Sequence, residues 1–352
     1  MNPLSILTAA IQGTPAPRIP VFCNLLDQGA RELGLSQQAY YSRGEHVAEA
    51  QLRMNRRYGY DNVWGLFYVG KEAEFFGDTQ ILFADDGAPN VASYAIQTWD
   101  DIAKLQVPDD LTAHPAWTET ANCMRILRSE VGATHPICAY LTASTSLPIL
   151  LMGMEKWLEL LLTGPADLRD LLLAKCSEFF QKEVQAYRDA GANVLVYSTP
   201  FGTVDFVGRK RFESLSLPWM KRDLAPGGVG GIVYYCGMAP FNSVISDVID
   251  QLGIAMHYVS PLADLAQAKT IIDGNCPPGS AHLTCGVIDD IKLIHCSPAQ
   301  TRAEVERLIA IGTQGGRQGS HFLFGTGVMP MAIPEANIVA LLEAAFAFGR
   351  LT

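Results

Sequence analysis

A tyrosine and a cysteine stand two residues apart near the middle of the chain, in the stretch 231–237, which reads GIVYYCG. Side chains alternate between the two faces of a strand. Tyr234 and Cys236 are therefore predicted to share one face of a short buried strand, with Val233 and Tyr235 on the other. A phenol and a thiol side by side at a strand end could donate protons or bind a metal. The alternative is two core aromatic residues and a buried cysteine.

Three residues on consecutive predicted strands are competent zinc ligands. They are Cys236, His257 and Cys285, and thiolates and imidazoles are the groups that zinc prefers in proteins. If the ends of these strands converge, the three side chains form a metal site. The alternative is that each is a small core residue or a hydrogen-bonded core histidine.

Composition and charge exclude several classes of protein. The chain has 352 residues, 49% of them hydrophobic and 18% charged, which is typical of a folded globular protein. A net charge of −10 argues against nucleic-acid partners and anionic membranes. No apolar run approaches the roughly 20 residues of a membrane span, and Met1–Ala10 does not resemble an export signal. Eight cysteines without a CxxC pair are expected to be reduced thiols. We expect a soluble, cytoplasmic protein.

Short β-rich runs alternate with longer stretches of helical spacing along the whole chain. The predicted strands are Ile19–Leu25, Asn62–Tyr68, Pro136–Thr142, Asn193–Thr199, Gly231–Cys236, Ile254–Val259, Ala281–Val287 and His321–Gly325. The predicted helices are Gly44–Tyr58, Leu147–Leu162, Asp167–Ala190, Arg211–Leu224, Phe241–Leu252, Leu262–Ile272, Pro298–Ile311 and Pro334–Phe348.

Eight alternating β and α units predict an α/β fold of the (β/α)8, or TIM-barrel, type. We predict one domain over residues 1–352, with an N-terminal helical extension and a β-hairpin inserted after the second strand. The hairpin comprises Thr79–Phe83 and Val91–Ile96, joined by the turn at 84–87. Helical material over 100–131 leads to the third strand. A two-domain open α/β protein is the alternative.

Barrel enzymes carry their active sites at the C-terminal ends of the strands. This rule selects Tyr234, Cys236 and His257 as catalytic candidates. It also selects a set of substrate contacts, each of which is individually compatible with a core role: Asn24, Asp27, Trp64, Phe67, Tyr68, Thr142, Ser198 and Thr326.

Ten short stretches in order along the chain carry a family resemblance. They read RIPV at 18–21, EAQ at 49–51, RYGYD at 57–61, EAEFFG at 72–77, GMEKW at 153–157, GANV at 191–194, LPW at 217–219, CG at 236–237 and, at the end, GTG at 325–327 with PEANI at 334–338. With them the chain resembles the uroporphyrinogen decarboxylase superfamily, and within it the methylcobamide methyltransferase branch. The resemblance implies a (β/α)8 barrel.

The resemblance also implies where a metal would be held. Thiol-methylating members of the branch bind zinc through a His-x-Cys at the fifth strand and a Cys after the eighth. The matching positions here are Tyr234, Cys236 and Thr326, so one ligand of three is kept. Zinc is therefore either lost or rebuilt with His257 or Cys285. The true decarboxylases carry an arginine-rich motif after the first strand, where this chain reads NLLDQ at 24–28.

The leading functional hypothesis is a corrinoid-dependent methyltransferase. It would move a methyl group between a cobalamin, carried on a partner corrinoid protein, and a methoxy or methylamine compound, a thiol or tetrahydrofolate. Two alternatives stay open: a decarboxylase or other lyase acting on a small acid, and a barrel that binds a corrinoid or tetrapyrrole without turnover. The sequence is compatible with a monomer or a homodimer, and no nucleic-acid or membrane partner is expected.

Overall fold

The structure is a computed structural model that describes residues 1–77, 79–84, 87–275, 282–314 and 321–351. Within these ranges its strands are β1 (Val63–Trp64), β2 (Gln80–Leu82), β3 (Asn90–Ser93), β4 (Ile137–Thr142), β5 (Val194–Ser198), β6 (Ile232–Tyr235), β7 (Met256–Val259), β8 (Leu283–Ile288) and β9 (Phe322–Thr326).

The α-helices of the described residues surround the large sheet or extend its loops. They are α1 (Pro3–Gln12), α2 (Gln28–Leu33), α3 (Gln37–Tyr41), α4 (Gly44–Tyr58), α5 (Asp100–Lys104), α6 (Thr118–Val131), α7 (Leu147–Met152), α8 (Met154–Leu162), α9 (Ala166–Ala190), α10 (Val204–Val207), α11 (Arg209–Arg211), α12 (Leu217–Leu224), α13 (Ile245–Asp247), α14 (Leu265–Asn275), α15 (Asp290–Leu293), α16 (Pro298–Gly312) and α17 (Glu335–Phe348). Shorter 3-10 and π segments lie at Lys71–Phe76, Leu111–Ala113, Pro115–Trp117, Pro200–Gly202, Phe212–Ser216, Phe241–Ser243 and Val248–Leu252.

Seven parallel strands form one curled sheet in the order β1-β4-β5-β6-β7-β8-β9. Neighbours in this order are also consecutive in the sequence once the β2–β3 hairpin is set aside. Each crossover from β4 onward contains helical segments, as parallel pairing requires. The predicted α/β architecture with a parallel barrel is confirmed, and six of the eight predicted strands contain the observed β4 to β9 or overlap them.

The eighth position of the barrel is occupied by an extended segment at residues 19–25. Its Phe22 N–H donates to the Phe324 carbonyl at 2.9 Å, and the Phe324 N–H donates to the Pro20 carbonyl at 3.1 Å. On the other side, the Asp61 N–H donates to the Val21 carbonyl at 2.8 Å. These bonds connect β9 to the chain just before β1 and close the ring.

Residues 19–25 differ from the prediction because they form only isolated parallel bridges, Val21 with Phe324 and Asn24 with Val328. Proline has no N–H to contribute to a ladder, and Pro20 lies at the start of the segment. Side chains replace the missing ladder. Arg18 donates to both carboxylate oxygens of the fully buried Asp61 at 2.5 and 2.6 Å.

Two further predictions differ in detail. The helix predicted over Leu147–Leu162 is interrupted at Gly153, where φ is 81° and favours glycine because it has no Cβ. The second predicted strand shortens to β1, so Phe67 and Tyr68 lie in the loop that follows it.

The helices predicted over Arg211–Leu224 and Phe241–Leu252 are divided by π and 3-10 segments, and most other elements follow the prediction. Helix α1 is the N-terminal extension, and β2 pairs with β3 in the antiparallel hairpin. Asp85 and Asp86 of the predicted turn, and Ala281 at the start of a predicted strand, lie outside the described residues. The seven cysteines of the described part are free thiols. In the part of the chain that the structure covers, no helix has the length and apolar character needed to cross a membrane.

The barrel has two separate apolar cores. Side chains that face the barrel axis form the smaller cluster, which includes Trp64, Tyr140, Tyr258 and Cys285. Side chains between the strands and the helices form the larger one. Strands buried on both faces are typical of parallel sheets, and here they place chemically different residues on the two faces.

Candidate functional site

Strand register decides which predicted residues face the barrel mouth. Across the sheet, Tyr235 aligns with Tyr258, and Tyr258 aligns with Cys285. Tyr258 and Cys285 belong to the inner core, and Tyr235 packs against it. The next row toward the N-terminal ends contains Tyr234 and His257, which therefore face the helices.

The prediction that the side chains of Tyr234 and Cys236 point into the barrel mouth is wrong. The opposite face of the strand points toward the barrel axis. Both belong to the outer core, and each is 1% exposed or less. The Cys236 thiol donates to the carbonyl of Ala239, with Sγ 3.4 Å from the oxygen. Burial raises the pKa of Cys236 to about 12 and also raises that of Tyr234. Both groups are thus held protonated in an apolar layer.

The predicted metal ligands do not come together. His257 Nε2 lies 3.0 Å from Nδ1 of His282, behind the sheet. Burial lowers the pKa of His257 to about 3, so its ring is neutral. Cys285 faces the opposite way, into the barrel. Among the described residues, no three His, Cys, Asp or Glu side chains are grouped as a metal site would require, so the donor geometry does not fit the implied zinc.

A chain of aromatic rings crosses the mouth of the barrel. The rings of Phe67 and Tyr140 stack with centroids 4.6 Å apart, and Trp64 stacks on Tyr140 at 5.4 Å. Tyr140 meets Tyr235 edge to face at 5.7 Å, and Tyr235 meets Tyr258 at 5.5 Å. Burial raises the phenol pKa of Tyr235 to about 12. The inner phenols are consequently neutral hydrogen-bonding groups at physiological pH.

Asn24 holds this aromatic chain in place. Its Oδ1 accepts from Trp64 Nε1 at 2.9 Å, and its Nδ2 donates to the Tyr258 hydroxyl at 3.0 Å and to the Thr326 carbonyl at 2.7 Å. The Tyr258 hydroxyl also donates to that carbonyl. Gly325 leaves room for the ring, since a Cβ there would lie 2.9 Å from the Tyr258 oxygen. Asn24 is fully engaged and acts as a support for the site.

Asp290 is a buried acid at the C-terminal end of β8 that the sequence analysis did not select. It begins α15 directly after β8 and is only 5% exposed. Desolvation raises its pKa to about 6, and the nearby Asp289 charge adds to the effect. Its charge also contributes to the raised pKa values of Tyr140 and Tyr235, after burial as the main cause. A carboxyl with a pKa near 6 can both hold and release a proton at physiological pH.

A cavity of 320 Å³ opens at this end of the barrel. Asp27, Phe67 and Tyr68, all predicted as substrate contacts, line it together with Tyr41 and Val328. The Tyr41 hydroxyl donates to Asp27 Oδ1 at 2.6 Å. Burial raises the pKa of Asp27, while the hydrogen bond from Tyr41 lowers it. None of the described residues that line this cavity is Lys or Arg.

The other predicted contacts have mixed positions. Ser198 aligns with Tyr235 on the inner face. Thr142 is in the same row, but its hydroxyl donates to Glu72 at 2.7 Å. Thr326 is in the outer layer, where its hydroxyl accepts from the Asn24 N–H at 2.9 Å. Trp64 faces inward, as its role in the aromatic chain requires.

Sequence reasoning missed Tyr140, Tyr235, Tyr258 and Asp290. The sequence does not show which alternate residues of a strand point toward the barrel axis. Tyr235 and Tyr258 are the immediate neighbours of Tyr234 and His257, which were selected instead. Asp290 had a usable signal, because it follows the end of the seventh predicted strand, where barrel enzymes place functional groups.

Comparison with known proteins agrees with this architecture. The family model described as Uroporphyrinogen decarboxylase (URO-D) matches residues 2–348. No curated protein sequence matches the chain. Among solved structures, a methyltransferase from Methanosarcina mazei superposes with a TM-score of 0.82 at 19% identity and covers 99% of both chains. A B12-independent methionine synthase from Shewanella superposes with a TM-score of 0.56 at 11% identity, covering 87% of this chain and 86% of its own. At these identities the similarity to the two structures shows the fold.

Proposed function

This chain belongs to the uroporphyrinogen decarboxylase (URO-D) family, and from that premise we propose that it is a methyltransferase that works with a corrinoid carried on a partner protein. The observation that carries the proposal is an aromatic cavity at the end of the barrel with a buried acid, Asp290, packed against the turn next to its wall, where it can exchange a proton near neutral pH. Methyl transfer to or from oxygen, nitrogen or sulfur changes the protonation of that atom, so the barrel needs a proton carrier.

Asp290 is the group proposed for this proton transfer. A Cβ on Gly327 would lie 2.6 Å from Asp290 Oδ2, so the carboxylate packs directly against the turn that follows β9. The next residue, Val328, lines the cavity. Asp290 therefore contacts the residue that precedes a lining residue of the cavity in the chain. The cavity lining would bind and orient the small molecule, and Asp290 would supply or take up the proton.

The absent corrinoid would supply the methyl-accepting or methyl-donating metal centre. Support for a partner that brings it to the mouth comes from exposed apolar side chains on the loops after the strands. Leu262 follows β7 and is 57% exposed, Ile291 follows β8 and is 54% exposed, and Met238 follows β6 and is 40% exposed. Two more exposed apolar side chains, Val69 and Leu82, lie in the segment that follows β1. Apolar side chains exposed at several neighbouring strand ends offer a surface on which a partner protein could dock.

The mouth also argues against the reaction for which the family is named. A substrate with several carboxylates requires cationic partners, and the described lining of the cavity contains no Lys or Arg. The net charge of −10 also disfavours binding of a substrate with several carboxylates. Carbon dioxide release from uroporphyrinogen by the purified protein would contradict the proposal.

The test is methyl transfer followed by the absorbance change of free cobalamin, with methoxy, methylamine and thiol compounds as partners. We expect activity that falls at least tenfold in Asp290→Asn, while Asp289→Asn remains within threefold of the parent. The absence of any spectral change across the panel, with the fold intact, would refute the proposal.

The partner needs a separate test with a corrinoid protein in place of free cobalamin. Leu262→Asp and Ile291→Asp place charges on the rim, and we expect them to raise the KM for the corrinoid protein at least fivefold without affecting the reaction of free cobalamin. Ala133→Asp, at an exposed position before β4 on the opposite end of the barrel, is the control. Equal effects of all three variants would exclude the rim as the docking surface.

A further inference from the structure

We propose that the cavity at the barrel mouth selects a positively charged, N-methylated ammonium compound. This inference rests on the methyltransferase function proposed above and names the class of its small-molecule substrate. It follows from three properties of the described part of the lining: one carboxylate, several aromatic rings and no balancing cation.

The carboxylate belongs to Asp27, at the end of the extended segment that completes the barrel. Oδ1 accepts the hydrogen bond from Tyr41 at 2.6 Å, and among the described residues no hydrogen-bond donor or cation contacts Oδ2. The residue is only 5% exposed. An ionised carboxylate in such surroundings is stabilised by a cation that enters the cavity with it.

Aromatic rings surround this carboxylate. Tyr41 and Tyr68 pack edge to face with centroids 5.1 Å apart, and Phe67 lines the same cavity. Ring faces attract ammonium ions, and quaternary ammonium groups are recognised in this way in proteins. Met329 and Met331 also line the cavity and offer polarisable surface to N-methyl groups.

The other charges near the cavity cancel. Lys71 Nζ is 5.5 Å from the centroid of the Tyr68 ring and 2.8 Å from Glu74. The Tyr68 hydroxyl donates to the same Glu74 carboxylate. Because Lys71 and Glu74 form a pair, Asp27 sets the net charge of the described residues of the wall.

The chemistry of an ammonium donor agrees with the placement of Asp290. As the methyl group leaves, the C–N bond breaks and its electron pair stays on nitrogen, so a quaternary ammonium ion departs as a neutral tertiary amine. The new bond to the methyl carbon uses an electron pair of the reduced corrinoid of the partner. The released amine binds a proton at neutral pH, and Asp290 supplies it.

Binding can be measured separately from turnover. Choline and its uncharged isostere 3,3-dimethylbutan-1-ol have the same shape and differ in charge, and isothermal calorimetry reports both affinities. We expect choline to bind at least tenfold more tightly to the parent protein. Asp27→Asn should remove that preference and leave the affinity for the isostere within twofold.

Two further variants protect the test from a folding defect and from a failure of the proposed function. Phe67→Leu keeps the cavity apolar but removes a ring face, so it should weaken choline more than the isostere. Asp290→Asn should leave choline binding unchanged and lower only methyl transfer. Equal affinity for choline and the isostere, or undiminished choline binding in a folded Asp27→Asn variant, would overturn the ammonium inference even if methyl transfer to another compound were observed.

Discussion

Replacing Asp290 by asparagine should stabilise the protein, although Asp290 is proposed as a functional residue. Burial raises the folded-state pKa of this carboxyl to about 6, whereas an aspartate in the unfolded chain titrates near 3.9. The folded state therefore binds the proton more tightly than the unfolded state. Below about pH 4 both states are protonated and there is no penalty. As the pH rises from about 4 to about 6, the charge becomes a cost to the folded state.

The size of the effect follows from these two pKa values. The cost of the buried charge reaches a plateau of about 3 kcal/mol above pH 7 and is roughly half of that at pH 5. Asparagine keeps the shape and one acceptor oxygen but carries no charge. Asp290→Asn should accordingly raise the free energy of unfolding by about 3 kcal/mol at pH 7.5 and by about half as much at pH 5.

Urea unfolding of both proteins at the two pH values measures this difference directly. Asp289→Asn is the matched control, because its side chain accepts from the Lys292 N–H at the start of α15 and the residue is less buried. A stability gain that is the same at pH 5 and pH 7.5 would show that the charge is not the cause. A destabilised Asp290→Asn variant at pH 7.5 would refute the argument that burial of this carboxylate is costly.

Three other substitutions test the remaining parts of the structure. Asp61→Asn leaves the Arg18 guanidinium without its buried partner and should lower the free energy of unfolding by about 3–5 kcal/mol in urea. Gly327→Ala places a methyl group 2.6 Å from Asp290 Oδ2, so methyl transfer should fall at least tenfold, with a stability cost of about 1–3 kcal/mol. Cys236→Ala removes a thiol from the outer core and should leave methyl transfer within twofold of the parent, at a stability cost of about 1 kcal/mol.

For each of these three variants, one result would contradict the reasoning. Arg53→Gln breaks an exposed ion pair and should cost about 0.5 kcal/mol or less, so an equal effect of Asp61→Asn would contradict its buried role. Unchanged methyl transfer in Gly327→Ala would show that Asp290 takes no part in the reaction. Loss of methyl transfer in a stable Cys236→Ala variant would show that the thiol is needed for the reaction.

The sequence predicts the elements better than it predicts their faces. Runs such as Val194–Ser198 and Met256–Val259 are buried on both sides, and their existence as strands follows from length and residue type. For the same reason, nothing in the pattern distinguishes the face toward the axis from the face toward the helices. A shift of one residue exchanges the two faces completely, as it did for Tyr234 and His257.

Loop residues were easier to predict than strand residues. Asp27, Phe67 and Tyr68 follow their strands, and the rule that barrel sites lie at C-terminal strand ends selects them without any knowledge of parity. The structure brings these three to one cavity. Asp290 satisfies the same rule but follows another aspartate, and only the three-dimensional structure shows that Asp289 caps α15 while Asp290 lies against the mouth.

The positions that match the zinc motif of the family's thiol methyltransferases share one property in this chain. Tyr234 and Cys236 are in the outer core, and Thr326 aligns with the outer-core residue Ile288. A ligand set in that layer would hold a metal between strands and helices, away from the cavity that receives the small molecule. The inner row instead carries neutral phenols such as Tyr235, and the buried carboxyl of Asp290 lies against the turn that follows β9. This arrangement supports the proposed proton transfer by a carboxyl, and among the described residues it offers no ligand set that would activate an acceptor as a metal thiolate.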